Sequence, residues 1–216
     1  MTRFDTLQQI LDCGIVAVVR SPHAEQLVNV ARALAQGGVR SIEITMTVPD
    51  AIEVIRTVAR ELAGDILLGA GTVLDAETAR AVMLAGAEYV VAPTLNLDVI
   101  RMCLRYDKVV MPGAFTPTEI LTAWEAGADV VKVFPADVGG PNYLKAISAP
   151  LPQIRLMPTG GVDLNTAGDF IKAGACCLGA GSSLVEKDAV RTGDFDRIRN
   201  LAAQFVSAVR KARGGE

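Results

Sequence analysis

A lysine interrupts the apolar run Val130-Val131-Lys132-Val133-Phe134. Strand alternation sets Lys132 with Val130 and Phe134 and opposite Val131 and Val133, so its amine enters packed protein on either side of a sheet. Removal from water favours the neutral amine, and a neutral amine is the nucleophile that Schiff-base chemistry requires. The structural alternative is a lysine paired with a carboxylate, or one whose ammonium snorkels past the strand end. Glu43 lies in Ser41-Ile42-Glu43-Ile44-Thr45, on the face shared with Ser41 and Thr45 and opposite two isoleucines. A carboxyl held partly out of water there has its pKa raised and can shuttle protons; the alternative is a structural ion pair. Arg20 ends a third apolar run, Ile15–Val19, as an anion partner or as half of a salt bridge at the rim.

Other chemistries are poorly supplied. The single histidine, His23, falls at the expected first turn of a helix, so neither a histidine-based triad nor a metal site built from several histidines is expected. No metal and no cofactor are expected. The four cysteines include the adjacent Cys176 and Cys177 and no Cys-x-x-Cys pair, which argues against a disulfide framework and for a reducing cytoplasm. The stretch from Met1 to Gly14 lacks the apolar core of a signal peptide, and no run approaches the roughly 20 apolar residues of a membrane span. With a net charge of −3 and interleaved signs, neither nucleic acid nor a membrane surface is an expected partner. A small anion is: Pro158-Thr159-Gly160-Gly161-Val162 and Gly179-Ala180-Gly181-Ser182-Ser183 offer backbone N–H groups that glycine leaves open to a phosphate. Gly69-Ala70-Gly71-Thr72 is a third such stretch, equally readable as a plain turn.

These residues need a scaffold that brings separate strands to one site. Eight short β-branched runs alternate with helical patterns: Ile15–Val19, Arg40–Thr45, Ile66–Leu68, Tyr89–Val91, Val109–Met111, Val130–Val133, Ile154–Met157 and Cys177–Leu178. Ser21-Pro22 and Pro117-Thr118-Glu119 open helices. A weak repeat, Gln36-Gly37-Gly38-Val39, Ala85-Gly86-Ala87, Ala126-Gly127-Ala128 and Ala173-Gly174-Ala175, stands before every second strand, its glycine suited to a left-handed helix end. Strands alternating with helices imply a parallel sheet, and eight units in 216 residues predict one domain, residues 1–216, closed as a single (β/α)8 barrel. No Gly-x-Gly-x-x-Gly follows the first strand, against a dinucleotide site. An additional N-terminal helix carries Phe4, Leu7, Ile10 and Leu11 on one face; a closing helix carries Phe195, Ile198, Leu201, Ala202, Phe205 and Val209.

Taken together, Val18-Val19-Arg20, Ile42-Glu43-Ile44-Thr45, Gly69-Ala70-Gly71-Thr72-Val73, Met111-Pro112-Gly113, Val131-Lys132-Val133-Phe134-Pro135-Ala136, Pro158-Thr159-Gly160-Gly161-Val162 and Gly181-Ser182 resemble, in order and spacing, one family. It is the 2-keto-3-deoxy-6-phosphogluconate aldolase and 4-hydroxy-2-oxoglutarate aldolase family, and the likeness spans nearly the whole chain. The resemblance implies a class I aldolase in which Lys132 forms an imine with a 2-keto acid and Glu43 moves protons. It implies further that Thr72, Pro93 and Phe134 line the pyruvyl half of the substrate, that Gly160, Gly161, Gly181 and Ser182 hold its phosphate, and that the protein is a metal-free homotrimer. The implied partners are a phosphorylated 2-keto sugar acid and pyruvate.

One position departs from the pattern. Many relatives carry an arginine for the substrate carboxylate where this chain has Thr47, in Thr45-Met46-Thr47-Val48-Pro49. Arg20 is then the expected partner for that carboxylate. Gluconate-type, galactonate-type and unphosphorylated 4-hydroxy-2-oxoglutarate substrates all stay open, and outside them stands a barrel that binds an anion or assembles without catalysis.

Overall fold

The computed structural model describes residues 1–20 and 24–215. The chain opens with α1 (Arg3–Cys13), β1 (Ile15–Val19), α2 (Ala24–Gln36), β2 (Ser41–Thr45), α3 (Ala51–Glu61), β3 (Leu67–Gly71), α4 (Ala76–Leu84) and β4 (Tyr89–Val91). It continues through α5 (Leu97–Arg105), β5 (Val109–Met111), β6 (Gly113–Ala114), α6 (Pro117–Glu125), β7 (Val131–Val133) and, after a 3-10 turn at Ala136–Val138, α7 (Gly140–Ser148). It ends with β8 (Leu156–Pro158), α8 (Ala167–Lys172), β9 (Leu178–Ala180), α9 (Lys187–Thr192) and α10 (Phe195–Ala212). The helix opening expected at Ser21-Pro22, and His23, lie outside the described residues.

This is a parallel α/β fold. One sheet runs β5-β4-β3-β2-β1-β9 and a second runs β6-β7-β8. Isolated bridges Leu156 to Ala175 and Thr159 to Gly179 connect β8 with β9. On the other side Asp129 N–H donates to Val110 O at 3.1 Å and Lys132 N–H to Pro112 O at 2.9 Å. The expected fifth strand, Val109–Met111, is β5 itself; the chain then crosses Pro112, which has no N–H for the ladder, and a further two-residue strand, β6, pairs with β7.

Alternation sorts the strand residues into two cores. Ile15, Ala17, Ile42, Ile44, Ala70, Val90, Val110, Val131 and Val133 pack under the helices. Val16, Leu67, Tyr89, Val91, Val109, Met111, Val130, Met157 and Cys177 form an inner core that Leu7 and Ile10 of α1 complete. The added N-terminal helix thus covers one end of the inner core; burying those two side chains contributes about 1.5–3 kcal/mol each. Phe4, expected on the same apolar stripe, is instead 72% exposed, and Thr6 takes the buried place. On α10, Ile198, Ala202, Phe205 and Val209 are buried as expected, with Phe195 and Leu201 packed at the margin.

Local signals hold where they rest on backbone chemistry. Thr116 caps α6 in a reciprocal capping box with Glu119, directly before Pro117. The repeat glycines Gly38, Gly86, Gly127 and Gly174 all have positive φ, between 92° and 114°, where the chain leaves a helix for the next strand.

Strand ends depart from expectation in one direction: β3, β8 and β9 reach further toward their C-terminal ends than their β-branched runs. Gly69 and Gly71 are strand residues of β3, not a turn. The ring of Tyr89 fills the space a side chain at Gly69 would need, and the Glu43 carboxyl does the same at Gly71. Gly179 likewise makes room for the side chain of Thr159. In the inner core, glycine marks where a neighbouring side chain crosses.

Candidate functional site

Lys132 projects from β7 on the inner face, 5% exposed, paired in register with Gly113 and Met157. Its ammonium nitrogen Nζ lies 5.2 Å from the centroid of the Phe134 ring, within cation–π range. Glu43 projects inward from β2, 1% exposed, paired with Val18 and Gly69. Its Oε1 rests against Gly71, while Oε2 is buried without a hydrogen-bond partner among the described residues. Burial raises the carboxyl above its ordinary proton affinity, and the positive charges of Lys132 and Arg20 pull it partly back. Lys132 on β7 and Glu43 on β2, five strands apart in sequence order, therefore share one electrostatic environment.

Above them the strand ends form a cleft of about 410 Å³. Arg20, Phe134, Gly160, Gly161, Gly181 and Ser182 all line it, so six of the ten residues singled out from sequence meet in one depression. Phe134, 37% exposed, joins the cleft to the lysine below, since its ring both walls the cleft and faces Nζ. Gly160 and Gly161 have φ of 94° and 68°. Ser183 Oγ donates to Val162 O at 2.5 Å, tying the loop after β9 to the loop after β8. Asp163 also lines the cleft, but its carboxylate is engaged: Oδ1 accepts the N–H groups of Asn165 and Thr166 at 2.8 and 2.9 Å.

Thr72 and Pro93 do not line this cleft; they stand at neighbouring strand ends. Thr72 follows Gly71 with φ 59°, a costly value for a β-branched residue, kept where the surrounding fold imposes it. The Pro93 backbone presses on Gly113, the register partner of Lys132, and Gly113 N–H donates to Thr94 O at 3.3 Å. Thr47 is exposed, and its hydroxyl lies 2.7 Å from that of Thr45, so it presents no charge here.

Four contributors escaped the sequence reading. Lys187, at the start of α9, is a second cation on the cleft wall beside Ser182 and Ser183. Ser41, Tyr89 and Thr159 are buried, and each carries a hydroxyl without a partner among the described residues. The alternation that flagged Glu43 also puts Ser41 on its face, and Tyr89 opens its strand, but neither hydroxyl stands out in an apolar run as a charge does.

The sequence model of the family described as "KDPG and KHG aldolase" matches residues 7–201. A Treponema pallidum protein named 2-dehydro-3-deoxy-phosphogluconate aldolase is 36% identical over 97% of this chain and 98% of its own. An Escherichia coli protein named 2-dehydro-3-deoxy-6-phosphogalactonate aldolase is 34% identical over 92% of this chain and 95% of its own. A solved structure, KDPG aldolase from Legionella pneumophila with pyruvate captured as a covalent carbinolamine intermediate, superposes with a TM-score of 0.85 at 26% identity, over 92% of this chain and 96% of that one. Among the described residues no helix is long and apolar enough to cross a membrane.

Proposed function

Because the chain belongs to the KDPG and KHG aldolase family, and so to the carbon–carbon lyases, we propose that it cleaves 2-keto-3-deoxy-6-phosphogluconate to pyruvate and glyceraldehyde 3-phosphate, with Lys132 as the Schiff-base nucleophile. The observation that carries this reading is the burial of Lys132 and Glu43 on one inner face beneath a cleft walled by two glycine loops. The neutral Lys132 amine adds to the C2 carbonyl, and loss of water gives the iminium. Deprotonation of the C4 hydroxyl breaks C3–C4, with the electron pair moving into the iminium to leave an enamine. Glyceraldehyde 3-phosphate departs, the enamine takes a proton at C3, and hydrolysis releases pyruvate and the free amine.

Glu43 is the group that moves these protons. A carboxyl whose pKa burial has raised passes between acid and base with less free-energy change near neutral pH than an ordinary one. Gly160, Gly161, Gly181 and Ser182 hold the phosphate, Arg20 meets the carboxylate, and Thr72, Pro93 and Phe134 bound the pyruvyl half. Supporting these roles, six of the residues share the cleft, and Thr72 and Pro93 adjoin Gly71 and Gly113.

A second substrate is favoured by a particular observation. Thr47 leaves the rim of β2 uncharged, and one relative is named a phosphogalactonate aldolase. Pyruvate release from the two C4 epimers, each with and without its phosphate, tests both readings. The gluconate epimer with phosphate is expected to turn over fastest; the galactonate epimer doing so would replace the substrate, and no turnover of any would remove the function.

We further infer that the strands close into an eight-stranded barrel, residues 1–216 forming one domain; the bridges between β8 and β9 and the Pro112–Lys132 hydrogen bond support closure. A cytoplasmic homotrimer follows from the family likeness, and exposed Leu84 and Val138 offer apolar surface for assembly. Sedimentation equilibrium would read the trimer directly.

A further inference from the structure

Below the proposed reaction centre three buried oxygens have no hydrogen-bond partner among the described residues: Ser41 Oγ, Glu43 Oε2 and Tyr89 Oη. Their residues are 1%, 1% and 0% exposed. Tyr89 stands on β4, and its ring crosses the β3 backbone at Gly69, where Cδ2, Cε2 and Cζ take the place of a side chain. Gly69 is in turn the register partner of Glu43 on β2. The phenol, which extends beyond Cζ, therefore aims at β2 on the side where Ser41 and Glu43 project. The Glu43 charge accordingly acts on the phenol, adding to burial in raising it well above its ordinary value.

Donor and acceptor types fit. An ionised carboxylate only accepts, whereas a phenol and a serine hydroxyl each donate one hydrogen bond and accept others. Buried polar groups are almost always satisfied, by protein or by an internal water with two to four polar neighbours. We propose that Tyr89 and Ser41 form a hydroxyl floor that holds the lower oxygen of Glu43 through a shared internal water, making both of them positioning residues for its proton transfers. The proposal rests on the reading of Glu43 as the proton shuttle.

The groups facing this carboxyl and phenol come from every side. Lys132 from β7 and Arg20 beyond β1 face Glu43, and Cys13 of α1 and Cys177 before β9 face Tyr89. Both cations favour the carboxylate, as does a donated hydrogen bond; burial alone opposes it. Removing either hydroxyl therefore makes Glu43 harder to ionise. Phenylalanine at position 89 keeps the ring over Gly69, and alanine at position 41 removes one oxygen, so neither variant disturbs the apolar packing.

The test is the titration of the protonated Glu43 carboxyl, read by its infrared C=O band and identified by the loss of that band in Glu43→Gln. Exchange of the pyruvate methyl protons in heavy water is measured on the same samples. A hydrogen bond to a charge corresponds to about one pKa unit, so the midpoint is expected about one pH unit higher in Tyr89→Phe than in the parent. Ser41→Ala is expected to shift it in the same direction and supplies the readout if the first variant does not fold. The pH at which methyl exchange is fastest should move with the midpoint. If Glu43→Gln abolishes exchange while the midpoint in Tyr89→Phe stays at the parental value, the hydroxyl floor is overturned and Glu43 keeps its role. If Glu43→Gln exchanges at the parental rate, the role of Glu43 falls, and the floor with it.

Discussion

Gly71→Ala isolates the placement of Glu43 from its chemistry. Gly71 has no positive φ, so alanine is compatible with the backbone and the effect is steric. An added methyl would lie 2.8 Å from Glu43 Cδ, where ordinary contact begins at 3.4 Å. The carboxyl must retreat by at least about 0.6 Å (3.4 minus 2.8), since Oε1 lies closer still to the added methyl. Overpacking a buried site costs about 1–3 kcal/mol, and alanine recovers about 0.5–1 of that over glycine through the unfolded chain. A melting temperature lower by a few degrees, about 2–8 °C, follows for a chain of this size. Misplacing a catalytic group by about 1 Å slows reactions about 100-fold, so methyl exchange in pyruvate should fall by about one to two orders of magnitude. Exchange by proton NMR and melting by calorimetry would be run beside Gly179→Ala, which crowds Thr159 instead. Parental exchange in Gly71→Ala, or equal losses in the two variants, would refute the assignment of that glycine to the carboxyl.

Other consequences can be checked separately. The folded Glu43 carboxyl binds its proton more tightly than the ordinary 4.5, so the ionised parent is destabilised as pH rises through and above that value. Glu43→Gln should therefore melt higher than the parent at neutral pH, with the gain vanishing as pH falls toward 4.5. Lys187→Ala should raise KM for a phosphorylated substrate about fivefold, roughly 1 kcal/mol, and leave the unphosphorylated one unchanged in steady-state assays. Arg3 Nε donates to Asp129 Oδ1 at 2.9 Å, across side chains 35% and 4% exposed. Discounted for the exposed arginine, Arg3→Ala should cost about 1–3 kcal/mol by leaving a buried carboxylate unpaired, measured by urea denaturation.

Charges in apolar strands were the legible part of the site. Lys132 and Glu43 contradict their own surroundings, and alternation gives each a face, so burial on the inner side follows once their strands, β7 and β2, are set in the parallel sheets. Gly38, Gly86, Gly127 and Gly174 were legible for a similar reason, since a helix leaving for a strand needs positive φ. Gly69, Gly71 and Gly179 were not, because the side chains that exclude a Cβ there belong to Tyr89, Glu43 and Thr159 on other strands or loops. Their type suits a turn locally, while the reason for it is tertiary. The two-residue β6 was not legible, because Gly113-Ala114 carries no β-branched residue to mark a strand after Pro112. Phe4 kept helical spacing yet faces outward, while Leu7 and Ile10 enter the inner core and Leu11 packs at its margin. Tyr89 and Ser41 stayed silent because a hydroxyl in a strand is ordinary; only the crossing at Gly69 sends the phenol toward Glu43.

Borohydride reduction in the presence of pyruvate, followed by peptide mass spectrometry, tests the nucleophile most directly. The chain has six lysines: Lys108, Lys132, Lys145, Lys172, Lys187 and Lys211. A reduced pyruvyl adduct is expected on Lys132 alone, and on no peptide of Lys132→Met. An adduct on another lysine, or none on any, would contradict Schiff-base catalysis by Lys132.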